Sequence, residues 1–181
     1  MLDIVVHKQN LVNIIVKVTN DIDRFGVWCC APLASNSEAF EFLASQTNIP
    51  ADDIQIRIKN TLESIWIGQV KSEKFDYLIQ VDWDPDAIDP SDEDAAQRAT
   101  DLLAALSFLD AWRDKGDPSS LASCAEVLIN YIDYLESFDL LPSMRLTPVD
   151  KEMEDQVQFL LDLQDGKIGV DDVAKFHEWL F

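Results

Sequence analysis

The spacing of apolar residues changes near Ser91, and this change limits the possible fold more than any other feature. In residues 54–58, isoleucines alternate with polar residues, which is typical of a strand with one buried face. In residues 102–109, leucines recur every three or four positions, as in an amphipathic helix. We therefore expect an α+β fold. Residues 1–90 would form a mixed α/β region, mainly an antiparallel sheet with one helix, and residues 91–181 a bundle of about four helices, packed as one compact unit.

Short β-branched runs predict the strands of the first region. Leu2–His7 and Leu11–Val18 are separated by three polar residues, which is the pattern of a hairpin, and Arg24–Cys30 is predicted to be a third strand. Ser35 and Glu38 have the spacing of a helix capping box, which predicts the helix of this region. The alternating isoleucines predict a strand in residues 54–58, and an apolar run leads to the same expectation for residues 75–83. Residues 62–70 are ambiguous, although residues 65–68 favour a strand.

Helix start and stop signals divide the second region. Ser91 is predicted to cap its first helix, which ends at Gly116, and Asp117-Pro118 has the order of an N-cap followed by proline at the first helical position. Thr147–Asp150 is predicted to open a third helix and Val170–Leu180 to form a short fourth.

The formal net charge of −20 over 181 residues, with a pI near 4.1, excludes several kinds of partner. Nucleic acids and anionic membranes are bound by Lys and Arg, which are the minority here. A basic protein is the expected partner, because opposite charge steers association. The chain has no apolar run that could span a bilayer and no signal-peptide pattern, and its three cysteines show no disulfide framework. We expect a cytoplasmic protein.

The acidic stretch, residues 82–94, holds seven carboxylates and no Lys or Arg. Asp82, Asp84, Asp86 and Glu93 occupy positions 1, 3, 5 and 12 of a calcium-binding loop. The match fails where Ala87 replaces the glycine of the sharp turn and where Asp89 replaces an apolar anchor. A solvated loop or a docking surface is therefore favoured over a calcium site.

Within the acidic stretch, five residues are expected to bind the partner: Asp82, Trp83, Asp84, Asp86 and Asp89. An aromatic side chain among carboxylates is suited to capturing Arg or Lys. Burial of the indole in the core is the alternative for Trp83, and also for Trp179 near the C-terminus.

No catalytic residue, metal ligand or cofactor site is expected. The two histidines, His7 and His177, are far apart in sequence, and no nucleophile elbow or phosphate-binding glycine loop is present. Two histidines and three cysteines without paired spacing do not indicate zinc.

The segment from Leu160 to Phe176 contains a helix, the triplet Gly166-Lys167-Ile168 and an acidic helix start. This ending resembles that of small acidic bacterial immunity proteins of colicin-like or contact-dependent toxin systems. The resemblance implies a cytoplasmic inhibitor that binds and blocks a toxin.

The leading functional hypothesis is a non-enzymatic inhibitor of the immunity type, which neutralises a basic bacterial toxin by covering its active site. One alternative is a divalent-metal-dependent enzyme or calcium-binding protein that uses the carboxylates from Asp82 to Glu93. Another is a structural or adaptor domain whose acidity serves solubility. The oligomeric state is left open.

Overall fold

The computed structural model describes residues 3–68, 74–141 and 147–172, without the Ile79 side chain. These residues form eight α-helices and three short 3-10 turns, and they contain no strand. The α-helices are α1 (Ile4–Ile15), α2 (Asp23–Leu33), α3 (Ser37–Gln46), α4 (Ala51–Trp66), α5 (Asp76–Ile79), α6 (Glu93–Lys115), α7 (Pro118–Ser137) and α8 (Val149–Gln164). The 3-10 turns are Pro85–Ala87, Pro90–Asp92 and Val170–Asp172.

The predicted α+β fold with an N-terminal antiparallel sheet is therefore wrong. The predicted hairpin is occupied mainly by α1, whose buried residues His7, Leu11 and Ile15 are four positions apart. That spacing puts them on one helical face, and Asp3 caps the helix by accepting a hydrogen bond from Val5 N at 2.9 Å. The β-branched content favoured a strand, but burial of a helical face decided the structure.

Two further predicted strands are also helices. Residues 24–30 lie in α2, which is buried around most of its circumference, so its continuous apolar run reflects a central helix. In α4, Ile54 and Ile58 are buried with the later apolar residues of the same face, whereas Ile56 is 54% exposed. The alternation in residues 54–58 was thus a short coincidence within a helical pattern.

The remaining predicted strands did not form in the described residues. Residues 62–66 belong to α4, and residues 69–70 lie outside the described part of the chain. Residues 76–79 form the single turn α5, and residues 81–84 have no regular secondary structure.

The centre of the fold is the pair α6 and α7. Gly116 ends α6 in the left-handed conformation at φ 66°, and Asp117 caps α7 by accepting a hydrogen bond from Ser119 N at 3.0 Å, with Pro118 as the first helical residue. These predicted signals are confirmed. The short connection between the end of α6 and the start of α7 lets the two helices pack together as a helical hairpin.

The other helices surround this hairpin. α2 contacts both α6 and α7, α3 packs on α6, and α4 packs on α2 and α3. α1 and α8 contact each other and α7. One hydrophobic core consequently contains residues from both sides of position 90, including Phe25 and Leu62 with Leu106 and Leu128.

Two predicted caps lie elsewhere. Asn36, not Ser35, caps α3: its side chain accepts a hydrogen bond from Ala39 N at 3.2 Å. Ser91 lies within a 3-10 turn, and the residue before α6 is Asp92, whose side chain makes no capping bond.

Candidate functional site

The acidic stretch is folded as two consecutive 3-10 turns that lead into α6. Asp84 caps the first turn by accepting a hydrogen bond from Asp86 N at 3.0 Å. Asp89 caps the second by accepting bonds from Ser91 N at 2.9 Å and Ser91 Oγ at 2.7 Å. These backbone and side-chain donors lower the pKa of Asp89. Two of the predicted binding carboxylates thus also have a structural role.

Trp83 attaches the acidic stretch to α3. Its indole is half-buried and meets the Phe42 ring edge-on, with 5.0 Å between ring centroids and 80° between planes. Phe42 itself is buried. Aromatic pairs favour this geometry, so the contact fixes the position of the stretch on the helix. Trp83 therefore packs against Phe42 and remains partly exposed.

An open groove lies along this contact, between α3 and the acidic stretch. It consists of two clefts of about 370 and 250 Å³, and Phe42 and Asp92 line both. Six carboxylate residues line the groove, and all of them are exposed: Glu38, Glu41, Asp84, Asp89, Asp92 and Asp94. We call this feature the acidic groove.

Two carboxylates of the acidic groove are held by neighbouring helices. Glu38 forms an ion pair with Arg98 of α6. Asp94 accepts a hydrogen bond from Tyr134 Oη of α7 at 2.6 Å, and this bond raises the pKa of the tyrosine. The first contact joins α3 to α6, and the second joins the start of α6 to α7.

The structure brings together only part of the predicted binding set. Trp83, Asp84 and Asp89 line the smaller cleft, whereas Asp82 and Asp86 are exposed outside the lining of either cleft. Sequence reasoning missed Glu38, Glu41 and Phe42 of α3. A signal existed, because Glu38 and Glu41 are three positions apart and share one helical face, but nothing in the sequence placed that face against residues 82–94.

In the described part of the chain, the carboxylates are not gathered into a metal-binding group. Among residues 3–68, 74–141 and 147–172, no group of three or more His, Cys, Asp or Glu side chains could hold a metal ion. In the segment that partly matches a calcium-binding loop, the Asp84 and Asp89 side chains accept bonds from the segment itself, and Glu93 begins α6.

His7 has a packing role in the described structure. Its Nε2 lies 2.9 Å from Oε1 of Gln156, a fully buried side chain of α8. Gln156 Nε2 donates to Glu152 Oε1 at 3.2 Å and to the Ala125 carbonyl at 3.3 Å. This network joins α1, α7 and α8. His177 and Trp179 lie outside the described residues.

Glu152 is the most perturbed carboxyl group of this region. Burial raises its pKa to about 8, and the bond from Gln156 offsets only part of that effect. The group is therefore protonated in the folded protein at neutral pH. Its place in a packed network between helices indicates a role in stability.

The Gly166-Lys167-Ile168 triplet is a corner that ties the chain end to the core. Gly166 has a φ of 69°, and Lys167 Nζ lies 2.8 Å from Asp165 and 3.3 Å from Asp162. The Ile168 carbonyl accepts a bond from Arg24 Nη1 at 3.0 Å. The segment that carries the resemblance to immunity proteins thus has structural contacts of its own.

No family model, curated protein or solved structure matches the chain. Among the described residues, no helix is both long enough and apolar enough to cross a membrane.

Proposed function

We propose that the chain is a non-enzymatic binding protein whose acidic groove docks a basic segment of a protein partner. The observation that supports this most is the groove itself, which is open to solvent and has six exposed carboxylate residues along two clefts that share Phe42 and Asp92. The net charge of −20 adds a long-range attraction for a basic surface.

The groove offers both parts of an Arg or Lys side chain a suitable environment. The apolar stem would lie against the exposed part of Trp83, while the charged head would meet the surrounding carboxylates. Charge complementarity of this kind mainly raises the association rate and the selectivity for a basic partner.

The most concrete form of this proposal is a cytoplasmic inhibitor of the immunity type. Its acidic groove would imitate the anionic substrate of a basic toxin and cover the active site of that toxin. The resemblance of the Leu160–Phe176 segment and the charge of the chain support this form.

A pair of matched variants tests the groove. Glu41→Gln with Asp92→Asn removes two groove charges, and Glu154→Gln with Asp171→Asn removes two exposed charges elsewhere. The partner to test is a basic toxin domain, sought among the genes that neighbour this one. In stopped-flow association at low salt, the groove pair should slow binding about tenfold and the control pair less than about twofold. Equal effects of both pairs, or no complex with the unmodified chain, would contradict the proposal.

Divalent cations separate this proposal from the metal-dependent alternative. A ligand that binds only the folded state raises the melting temperature as its concentration increases. We expect millimolar CaCl₂ or MgCl₂ to give the same shift as NaCl of equal ionic strength. A larger, saturable shift that disappears in the Glu41→Gln, Asp92→Asn variant would instead support a cation site.

A further inference from the structure

All three cysteines of the chain meet inside the fold. Cys29 and Cys30 belong to α2 and Cys124 to α7, and each is a free thiol with 0% exposure. The Sγ atoms of Cys30 and Cys124 are 3.5 Å apart, although the residues are 94 positions apart in sequence. The Cys29 thiol is also close enough to Cys124 for their titrations to interact.

A glycine allows this meeting. Gly26 lies one turn before Cys30 on α2, and a Cβ atom there would lie 2.5 Å from Leu109 Cδ1 and 2.9 Å from Leu121 Cδ1. Leu121 in turn lies one turn before Cys124 on α7. The absence of a side chain at Gly26 therefore permits the close approach of α2 and α7 that places the two thiols in contact.

Burial keeps solvent and peroxide away from the thiols while the helices are packed. The contact with Cys124 and burial raise the pKa of Cys30, and burial raises the pKa of Cys29, so both stay protonated. Cys124 Sγ is 3.6 Å from the Ala105 carbonyl and 3.9 Å from the Gly26 carbonyl. Oxidation would consequently require local opening of this interface.

We propose that Cys30 and Cys124 form a reversible disulfide when the protein meets hydrogen peroxide, and that this bond ties α2 to α7. A disulfide has a sulfur–sulfur distance of about 2.05 Å, so the two sulfurs need to approach by only about 1.5 Å. Cys30 is preferred over Cys29 because its sulfur lies 3.5 Å from that of Cys124, within contact distance.

The reaction has two steps. One sulfur attacks a peroxide oxygen, the O–O bond breaks, and the released hydroxide takes up the thiol proton as water, which leaves a sulfenic acid. The second sulfur attacks the sulfenic sulfur, the S–O bond breaks, and a second water leaves with the second thiol proton. Two thiols are oxidised, and one peroxide is reduced to two waters.

The bond would close a long loop, because it joins residues 94 positions apart. Cross-links over long loops restrict the unfolded chain strongly. For a chain of this size, the melting temperature of the oxidised form should rise by on the order of 10 °C.

The test uses the full chain treated with peroxide, then unfolded and alkylated, with intact mass and peptide mapping as readouts. We expect one alkylated cysteine instead of three, a Cys30–Cys124 cross-linked peptide and the higher melting temperature. Dithiothreitol should reverse each of these changes. Three alkylated cysteines, a cross-link to Cys29, sulfinic or sulfonic acid without a cross-link, or an unchanged melting temperature would overturn the proposal.

Two variants serve as controls once their helical circular dichroism matches that of the unmodified chain. Cys29→Ala should form the cross-link as before, because it keeps the contacting pair. Cys124→Ala should keep both remaining thiols open to alkylation after peroxide. Loss of the cross-link in Cys29→Ala would mean that Cys29 is required for it, which would contradict the proposal.

Discussion

At the scale of single residues, the buried polar groups have a measurable effect on the stability of the protein. Glu152, Gln156 and His7 form one connected network where α1 and α8 meet α7. A buried carboxyl group in such a network favours its neutral form, because burial penalises the charge. The network therefore makes stability depend on pH in a defined direction.

Because of Glu152, the free energy of unfolding should fall as pH rises. Between its ordinary pKa of 4.5 and its folded-state pKa of about 8, the group is protonated in the folded protein and ionised in the unfolded chain. The folded state then binds the extra proton, so the free energy of unfolding falls as pH rises through this range. From about pH 5.5 to about pH 7.5, the contribution of Glu152 should fall by roughly 2–3 kcal/mol.

Glu152→Gln isolates this contribution, because glutamine imitates the protonated acid. The variant should gain stability relative to the unmodified chain as pH increases, measured by urea unfolding at several pH values. Glu154→Gln, an exposed change on the same helix, should show no such divergence. Parallel pH curves for the unmodified chain and Glu152→Gln would show that the group is not buried and neutral.

At the scale of elements, caps and apolar faces decided where helices begin and which way they face. The helix end at Gly116 and the helix start at Asp117-Pro118 could be predicted because each depends on residues that are close together in sequence. The start of α3 was misplaced by one residue, since Ser35 and Asn36 are both suitable caps. Ser35 Oγ instead donates to the Pro32 carbonyl at 2.6 Å, at the end of α2.

Asn36 should contribute to stability through two helices. It caps α3, and its Nδ2 donates to Tyr131 Oη of α7 at 3.2 Å. Asn36→Ala should lower the free energy of unfolding by about 1–2 kcal/mol, because Ala39 N loses its acceptor. Asn36→Asp keeps the cap and should lose less than half of that amount in chemical denaturation. Equal losses in both variants would place the effect in the Tyr131 contact alone.

The same scale explains why the N-terminal region was mistaken for a sheet. Residues 4–15 are rich in β-branched residues and residues 24–30 form a nearly continuous apolar run, and both patterns suit a strand as well as a helix packed on the core. Short apolar runs do not distinguish these cases by periodicity. The packing of α2 between α4, α6 and α7 buries most of its surface, and this tertiary context selected the helix.

At the scale of the whole molecule, the dominant quantity is the net charge of −20. Like charges repel one another over the surface of the compact fold, and salt shortens the range of this repulsion from about 30 Å at 0.01 M to about 8 Å at 0.15 M. The ion pair between Lys74 and Asp114 is partly exposed, like other ion pairs of the protein. Screening of such pairs by salt therefore removes little stability.

Added NaCl should therefore stabilise the protein. The melting temperature should rise by several degrees between 0.01 M and 0.15 M NaCl, because screening reduces repulsion in the compact state. Differential scanning calorimetry measures this shift, with sucrose of equal osmolality as the uncharged control. A melting temperature that falls with NaCl would mean that ion pairs outweigh the repulsion.

Sequence alone determined the electrostatic character of the chain, the helix signals around Gly116 and the density of carboxylates in residues 82–94. These are properties of composition or of contacts within a few residues. The placement of Glu38, Glu41 and Phe42 opposite Asp89 and Asp92, and the contact between Cys30 and Cys124, were decided only by the tertiary structure. Both juxtapositions join residues far apart in sequence, and they exist because burying the apolar faces of α2 and α3 against the α6–α7 hairpin fixes where those residues meet.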